Sequence, residues 1–312
     1  MKEKQPMVGG QAVIEGIMMR KGGKIAIAVR SSPEEIVVVQ ENFSTLSERF
    51  PFLKLPLLRG MVAFIEALVL GVKSLSRSAD LALQEEEAQL KGWELPLTVF
   101  FSLAMGIGLF ILLPTLLMRF LAGSAPGASP VLLNLGEGFL RLSIFISYIY
   151  LISRWGEVKR IFCYHGAEHK AIACFEAGED LTVDNTRRYS PRHARCGTSF
   201  ILIVMLVSVV LFSFFGWPSL WQRIVIRLLF LPLVAGISYE AIRWAGTSKS
   251  PLVKILSAPG LWLQKLTTLE PQDDQLEVGI KALKAVLDIK SQEDIPSDTG
   301  IESKTGLSQS SS

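Results

Sequence analysis

Four stretches of this chain are apolar enough, and long enough, to cross about 30 Å of hydrocarbon, which takes roughly 20 helical residues. They run from Leu95 to Met118, from Val131 to Ser153, from Thr198 to Gly216 and from Trp217 to Tyr239. The first and third carry no charge, the second carries Glu137 and Arg141, and the fourth carries Arg223 and Arg227 in its first half and ends at Glu240. Nearly half of the 312 residues are hydrophobic, 49%, which places the chain among membrane proteins before any segment is read. The pattern predicts a mainly α, integral membrane protein of about four transmembrane helices.

Orientation follows from the basic residues flanking short loops. The segment from Arg154 to Gly197 holds Arg154, Lys159, Arg160, Lys170, Arg187, Arg188, Arg192 and Arg195, whereas the linkers on the other side offer only Arg119 and Arg223. The long loop is therefore expected in the cytoplasm, and with four spans both termini join it. Three cysteines, at 163, 174 and 196, fall in that loop, where thiols stay reduced and no disulfide framework is expected. The N-terminal residues lack an apolar core of signal-peptide length. A net charge of +3, spread along the chain, gives no sign of a nucleic-acid partner.

The flanks divide further. Residues 1–56 hold a Gly-rich stretch, Gly9 to Gly16, then two β-branched runs, Lys24–Arg30 and Glu35–Gln40, which read as a small β-hairpin. The Gly-rich stretch lacks the Lys-Ser/Thr of a phosphate loop and reads as a tight entry segment, with Glu15 as a residue able to reach a site. A long amphipathic helix, interfacial or re-entrant, is expected across residues 57–92. Its charges at Arg59, Glu66, Lys73, Arg77 and Asp80 share one face. That stripe suits a helix lying in the membrane interface, or one turning its polar side toward a bundle. The four-span domain covers 93–249, with the loop 154–197 inside it, and interfacial and amphipathic helices fill 250–290. Residues 291–312 have the composition of a disordered tail.

The chemistry concentrates in Tyr164-His165-Gly166-Ala167-Glu168-His169. Histidines four apart on a helix project from one face and can share a metal ion. With Glu168 the spacing is H-x-x-E-H, the inverted zincin pattern, in which two His hold zinc and the Glu acts as general base. Gly178 is a natural stop for a helix from Glu157 to Ala177. All three histidines of the chain lie between 165 and 193, and His193 precedes Cys196 by three residues. Two ligand sets stay open. His165, His169, His193 and Cys196 make a closed, structural site; a carboxylate as third ligand, for which Glu240 is the candidate, makes an open, catalytic one. Arg187, Arg188, Arg192 and Arg195 form a possible anion-binding group, and Glu137 with Arg141 an internal ion pair.

The blocks GGQAVIEGIMMR, PLLRG, YHGAEHKAI, RHARCGTSF, LPLVAGISYE and APGLWLQKLTTLEPQDDQLEVGIKAL resemble those of the bacterial YqhQ family. The resemblance runs from residue 9 to about 285 and implies a bacterial cytoplasmic-membrane protein of unknown function, described as a metal-dependent enzyme. The leading expectation is a zinc-dependent hydrolase at the cytoplasmic face, acting on a membrane protein, peptide or lipid. A non-catalytic assembly or homeostasis protein with a structural metal is the alternative, and a transporter the third. Oligomeric state is not readable from the sequence.

Overall fold

A computed structural model describes residues 6–82, 93–123, 127–193, 196–247 and 251–288. Its first element is a four-stranded antiparallel meander, β1 (Gly9–Val13), β2 (Gly16–Lys21), β3 (Lys24–Arg30) and β4 (Ile36–Asn42), in that order across the sheet. The expected hairpin is β3–β4, paired from Lys24 opposite Asn42 to Arg30 opposite Ile36. The Gly-rich stretch Gly9–Gly16, expected as a tight entry segment because glycine is depleted in strands, is instead mostly β1, and β2 follows it. They pair through the register Gly10 to Met19 and Val13 to Gly16.

The sheet is buried on both faces, which the period-2 alternation explains. Ile17, Met19, Ala26 and Ala28 face one way, against Tyr164, Ala167 and Ala171 of α6 (Gly156–Ala177) and Leu276, Leu283 and Val286 of α11 (Asp273–Asp288). Val13, Met18, Ile25, Ile27 and Val29 face the other way, against Leu70 of α2 (Leu58–Ala82). The stripe expected at Leu276, Ile280, Leu283 and Leu287 is thus the core face of α11.

α2 buries mainly small and polar residues and exposes several large apolar ones. Glu66 is buried and accepts from the Leu46 backbone N–H at 2.7 Å; Ser78 is buried and accepts from the Ile14 N–H at 3.1 Å. Gly60 packs so closely on Gly236 that an added Cβ would lie 2.9 Å from its Cα. The outward side is apolar, with Ile65, Leu68 and Val69 about half exposed, at 48%, 55% and 59%. Of the expected charged stripe only Glu66 is buried; Lys73 and Arg77 are exposed, so the stripe does not turn inward as a whole. The stretch 83–90 of the expected helix lies outside the described residues.

Three helices are long and apolar enough to cross a membrane: Pro96–Gly123, Pro130–Ile152 and Leu220–Trp244. The first joins α3 (Glu94–Ile107) to α4 (Leu113–Gly123) through a π-helical turn, Gly108–Leu112; the others are α5 (Pro130–Ile152) and α9 (Leu220–Thr247). The third expected span forms α8 (Gly197–Ser213), apolar but only 17 residues. At 1.5 Å per residue it is about 25 Å long, short of the hydrocarbon thickness. The fourth starts three residues later than expected and runs past Tyr239, so Glu240 lies within the helix rather than at its end. Two short α-helices, α1 (Leu46–Arg49) and α7 (Val183–Arg187), a 3-10 turn at Pro51–Lys54 and the 17-residue α10 (Pro251–Thr267) complete the order among the described residues.

Glu137 ties the apolar helices together. It is buried with Arg141 on its own helix at 2.8 Å, pairs with both Arg223 and Arg227 of α9, and accepts from Thr115 of α4 at 2.8 Å. The expected ion pair is therefore part of a larger knot. The π turn serves it as well, since the Phe110 carbonyl accepts from Arg141 Nε at 2.9 Å.

Candidate metal centre

α6 carries the motif, and its local sequence explains its bounds. Its C-cap Gly178 takes φ 78°, a left-handed conformation in which its N–H bonds the Cys174 and Phe175 carbonyls. On this helix His165 and His169 lie one turn apart, with ring centroids separated by 4.5 Å.

Each ring is oriented by a backbone carbonyl. His165 Nδ1 lies 2.9 Å from the Thr267 oxygen and His169 Nδ1 lies 2.6 Å from the Pro191 oxygen. A carbonyl can only accept, so each Nδ1 carries the proton, and in the neutral ring each Nε2 keeps its lone pair. Burial first of all holds both imidazoles below their ordinary range, His169 at about 3, so both are neutral near pH 7.

Cys196 completes the group. It is buried, N-caps α8 by accepting from the Thr198 N–H at 3.4 Å, and lies 3.2 Å from His165 Nε2. Burial pushes its thiol up to about 11, so the thiol donates to the bare Nε2. Ligand atoms of His165, His169 and Cys196 all lie within 4.8 Å of one another. Ligands around a tetrahedral zinc are about 3.4–3.8 Å apart, so small side-chain rotations bring the three onto one ion. Two imidazoles and a thiolate are donors that zinc favours.

Glu168 stands beside them, fully enclosed. One oxygen takes the Gly10 backbone N–H, while Oε2 has no hydrogen-bond partner among the described residues. Burial pushes the carboxyl up to about 8, so it is largely protonated at neutral pH. The site forms part of the wall of a cavity of about 650 Å³, whose other walls include Ala63 and Phe64 of α2, Phe200 and Ile201 of α8, and Tyr239.

The other expected site residues are placed as follows. His193 lines the same cavity, its ring 5.8 Å from that of His169, and its Nε2 lies 3.3 Å from Glu176 Oε2. Glu240 is not brought to the cluster; it is held by Arg59, at 2.6 and 2.5 Å, where α9 packs against the start of α2. Glu15 pairs with Arg160 at 2.5 Å and Tyr164 at 3.2 Å, away from the cavity wall. Arg187 pairs with Asp273 at 2.6 Å, Arg188 and Arg192 are exposed, and none of the three lines the cavity; Arg195 lies outside the described residues.

Several positions that shape the site had weak signals in the sequence. Gln264 of α10 is fully buried and clasps the His193 backbone, accepting its N–H and donating to its carbonyl, both at 2.9 Å. Gly166, a glycine inside a helix, marks a close approach. A Cβ there would lie 1.9 Å from the Leu269 carbonyl oxygen, on the segment whose Thr267 carbonyl orients His165. Gly166→Ala is expected to lower stability by about 1–3 kcal/mol, since the obstacle is backbone. Thermal unfolding in detergent checks this, with zinc affinity falling in parallel.

A family described as "Protein of unknown function (DUF1385)" matches residues 55–289. Over 308 residues the chain is 36% identical to the "Uncharacterized protein YqhQ" of Bacillus subtilis (strain 168), covering 92% of this chain and 94% of that protein. No solved structure matches.

Proposed function

The chain belongs to this family of unknown function, and from its site we propose a membrane-embedded, zinc-dependent hydrolase. One observation carries the reading. Three convergent ligand atoms, from His165, His169 and Cys196, adjoin an enclosed carboxyl, Glu168, on the wall of a large cavity. A catalytic zinc has three protein ligands and a face left for substrate, whereas a structural zinc is closed by four. Zinc supplies Lewis acidity that polarises a carbonyl or phosphoryl oxygen.

The chain's own residues do the rest. The Thr267 and Pro191 carbonyls fix the ring orientations, and the cavity wall beyond the ligands is largely apolar. Glu168, set near 8 by its enclosure, exchanges its proton close to neutral pH, so its ionised fraction can take a proton and return it to a leaving group. In the cell the three long apolar helices, and α8 at the lower limit of a crossing length, span the cytoplasmic membrane. The basic loop 154–197 and both termini are in the cytoplasm.

Purified protein is expected to carry about one zinc per chain. A second reading, a closed structural site, draws on the nearness of His193 to His169. His193→Ala separates the two: zinc content is retained if the site is open. A tenfold or larger loss of zinc affinity in that variant identifies a fourth ligand and sinks the hydrolase reading.

A further inference from the structure

A second cavity, of about 480 Å³, adjoins the metal cleft, and Ala63 and Tyr239 line both. Their chemistry differs sharply. The cleft wall beyond the ligands is largely apolar, through Ala67, Leu68, Phe200 and Ile201. The second cavity is lined by Arg20, Lys54, Arg59 and Arg243, with Ser47 among them. Its one lining carboxylate, Glu66, accepts the Leu46 N–H, and Glu240, outside the lining, is held by Arg59. With Glu240 counted, four cations against two anions leave a net charge of about +2 at the cavity, a field suited to a phosphate group. Arg20 is held in place, its Nε bonded to the Gly22 carbonyl at 2.9 Å and its guanidinium 5.0 Å from the Phe43 ring centroid.

The apolar lobe has an outlet. Leu68 lines the cleft and also belongs to the outward apolar face of α2, beside Val69 and Val72. An acyl chain entering there would pass from an apolar surface into an apolar lobe. We propose that the site binds a membrane lipid with a phosphate headgroup. The headgroup sits among Arg20, Lys54, Arg59 and Arg243, and an acyl chain occupies the lobe lined by Ala67, Leu68 and Phe200. This deepens the hydrolase reading by naming its substrate class and rests on that reading for the chemistry, but the binding stands on the two cavities alone.

The test uses the full-length protein in detergent, with dioctanoyl phosphatidate, dioctanoylglycerol and inorganic phosphate as probes in calorimetric titrations. Phosphatidate is expected to bind at least about tenfold tighter than dioctanoylglycerol, and the Arg20→Gln/Lys54→Gln variant to lose about tenfold in phosphatidate affinity. Ala67→Phe, at an exposed position on the lobe, is expected to weaken phosphatidate binding while leaving phosphate binding unchanged. Equal binding of dioctanoylglycerol, or no effect of the double substitution, overturns the proposal. Inorganic phosphate binding as tightly as phosphatidate, with Ala67→Phe without effect, replaces the lipid by a soluble anion and overturns it too. Zinc content, measured on the same samples, reports separately. Phosphatidate binding as above by a zinc-free protein upholds this site and removes the hydrolase, whereas one zinc per chain without lipid selectivity does the reverse.

Discussion

Zinc is expected to leave the purified protein when His165 and His169 are both replaced by Ala. Zinc sites in small domains bind with about 10–16 kcal/mol shared among four ligands, so each ligand contributes roughly 3 kcal/mol, or about a hundredfold. Losing two lowers affinity by about ten-thousandfold, enough to strip the ion during purification. The double variant also leaves the Thr267 and Pro191 carbonyls without their ring partners, costing about 1–3 kcal/mol each. Cys196→Ser is therefore the cleaner companion. Serine keeps the N-cap of α8 yet is a poor zinc ligand, so affinity drops about a hundredfold while unfolding of the metal-free protein is nearly unchanged. Full zinc occupancy in either variant would remove the site.

Glu168→Gln is expected to stabilise the metal-free protein and abolish its cellular activity. The folded carboxyl titrates at about 8, against 4.5 for an ordinary one, so the folded state holds this proton more tightly than the unfolded chain. Its destabilising effect is thus absent below pH 4.5 and grows as the pH rises toward 8. The slope is about 1.4 kcal/mol per pH unit, which reaches on the order of 3 kcal/mol at pH 7. A neutral Gln removes the dependence, so the unfolding midpoints of the two proteins converge near pH 4.5 and separate above it.

Zinc binding carries the same signature. Both imidazoles are already neutral, so the protons released near pH 7 come from Cys196 and Glu168. Affinity then rises by up to about a hundredfold per pH unit between pH 6 and 8 in the wild type, and about tenfold in Glu168→Gln. A variant that keeps zinc but fails to complement a deletion strain fits the general-base role. Full complementation would end the hydrolase reading.

Much of the site was legible because it is local. A four-residue spacing on one helix puts His165 and His169 on one face whatever surrounds them, and Gly178 marks where that helix stops. Helical periodicity likewise located the core face of α11, and β-branched residues located β3 and β4. The harder question was which residue joins the histidines. The sequence left open His193 with Cys196 or, instead, Glu240, and nothing local separates the two sets. The difference arises from two packing contacts: α9 against the start of α2 gives Glu240 to Arg59, while the N-cap of α8 delivers Cys196 to His165. Gly10, remote in sequence and set in a strand too rich in glycine to read as one, is what encloses Glu168.

The sequence by itself determined the apolar helices, the concentration of basic residues between 154 and 197 and the helical His-x-x-Glu-His face, since each follows from the spacing of neighbouring residues. Only the tertiary structure decided that α8 is a short apolar helix, that α2 buries Glu66 with its small residues while exposing large apolar ones, and that Cys196 lies beside the two histidines. Those outcomes depend on which surfaces meet across 30 to 240 residues of chain, through backbone approaches at Gly60, Gly166 and Gly10 that no local pattern encodes.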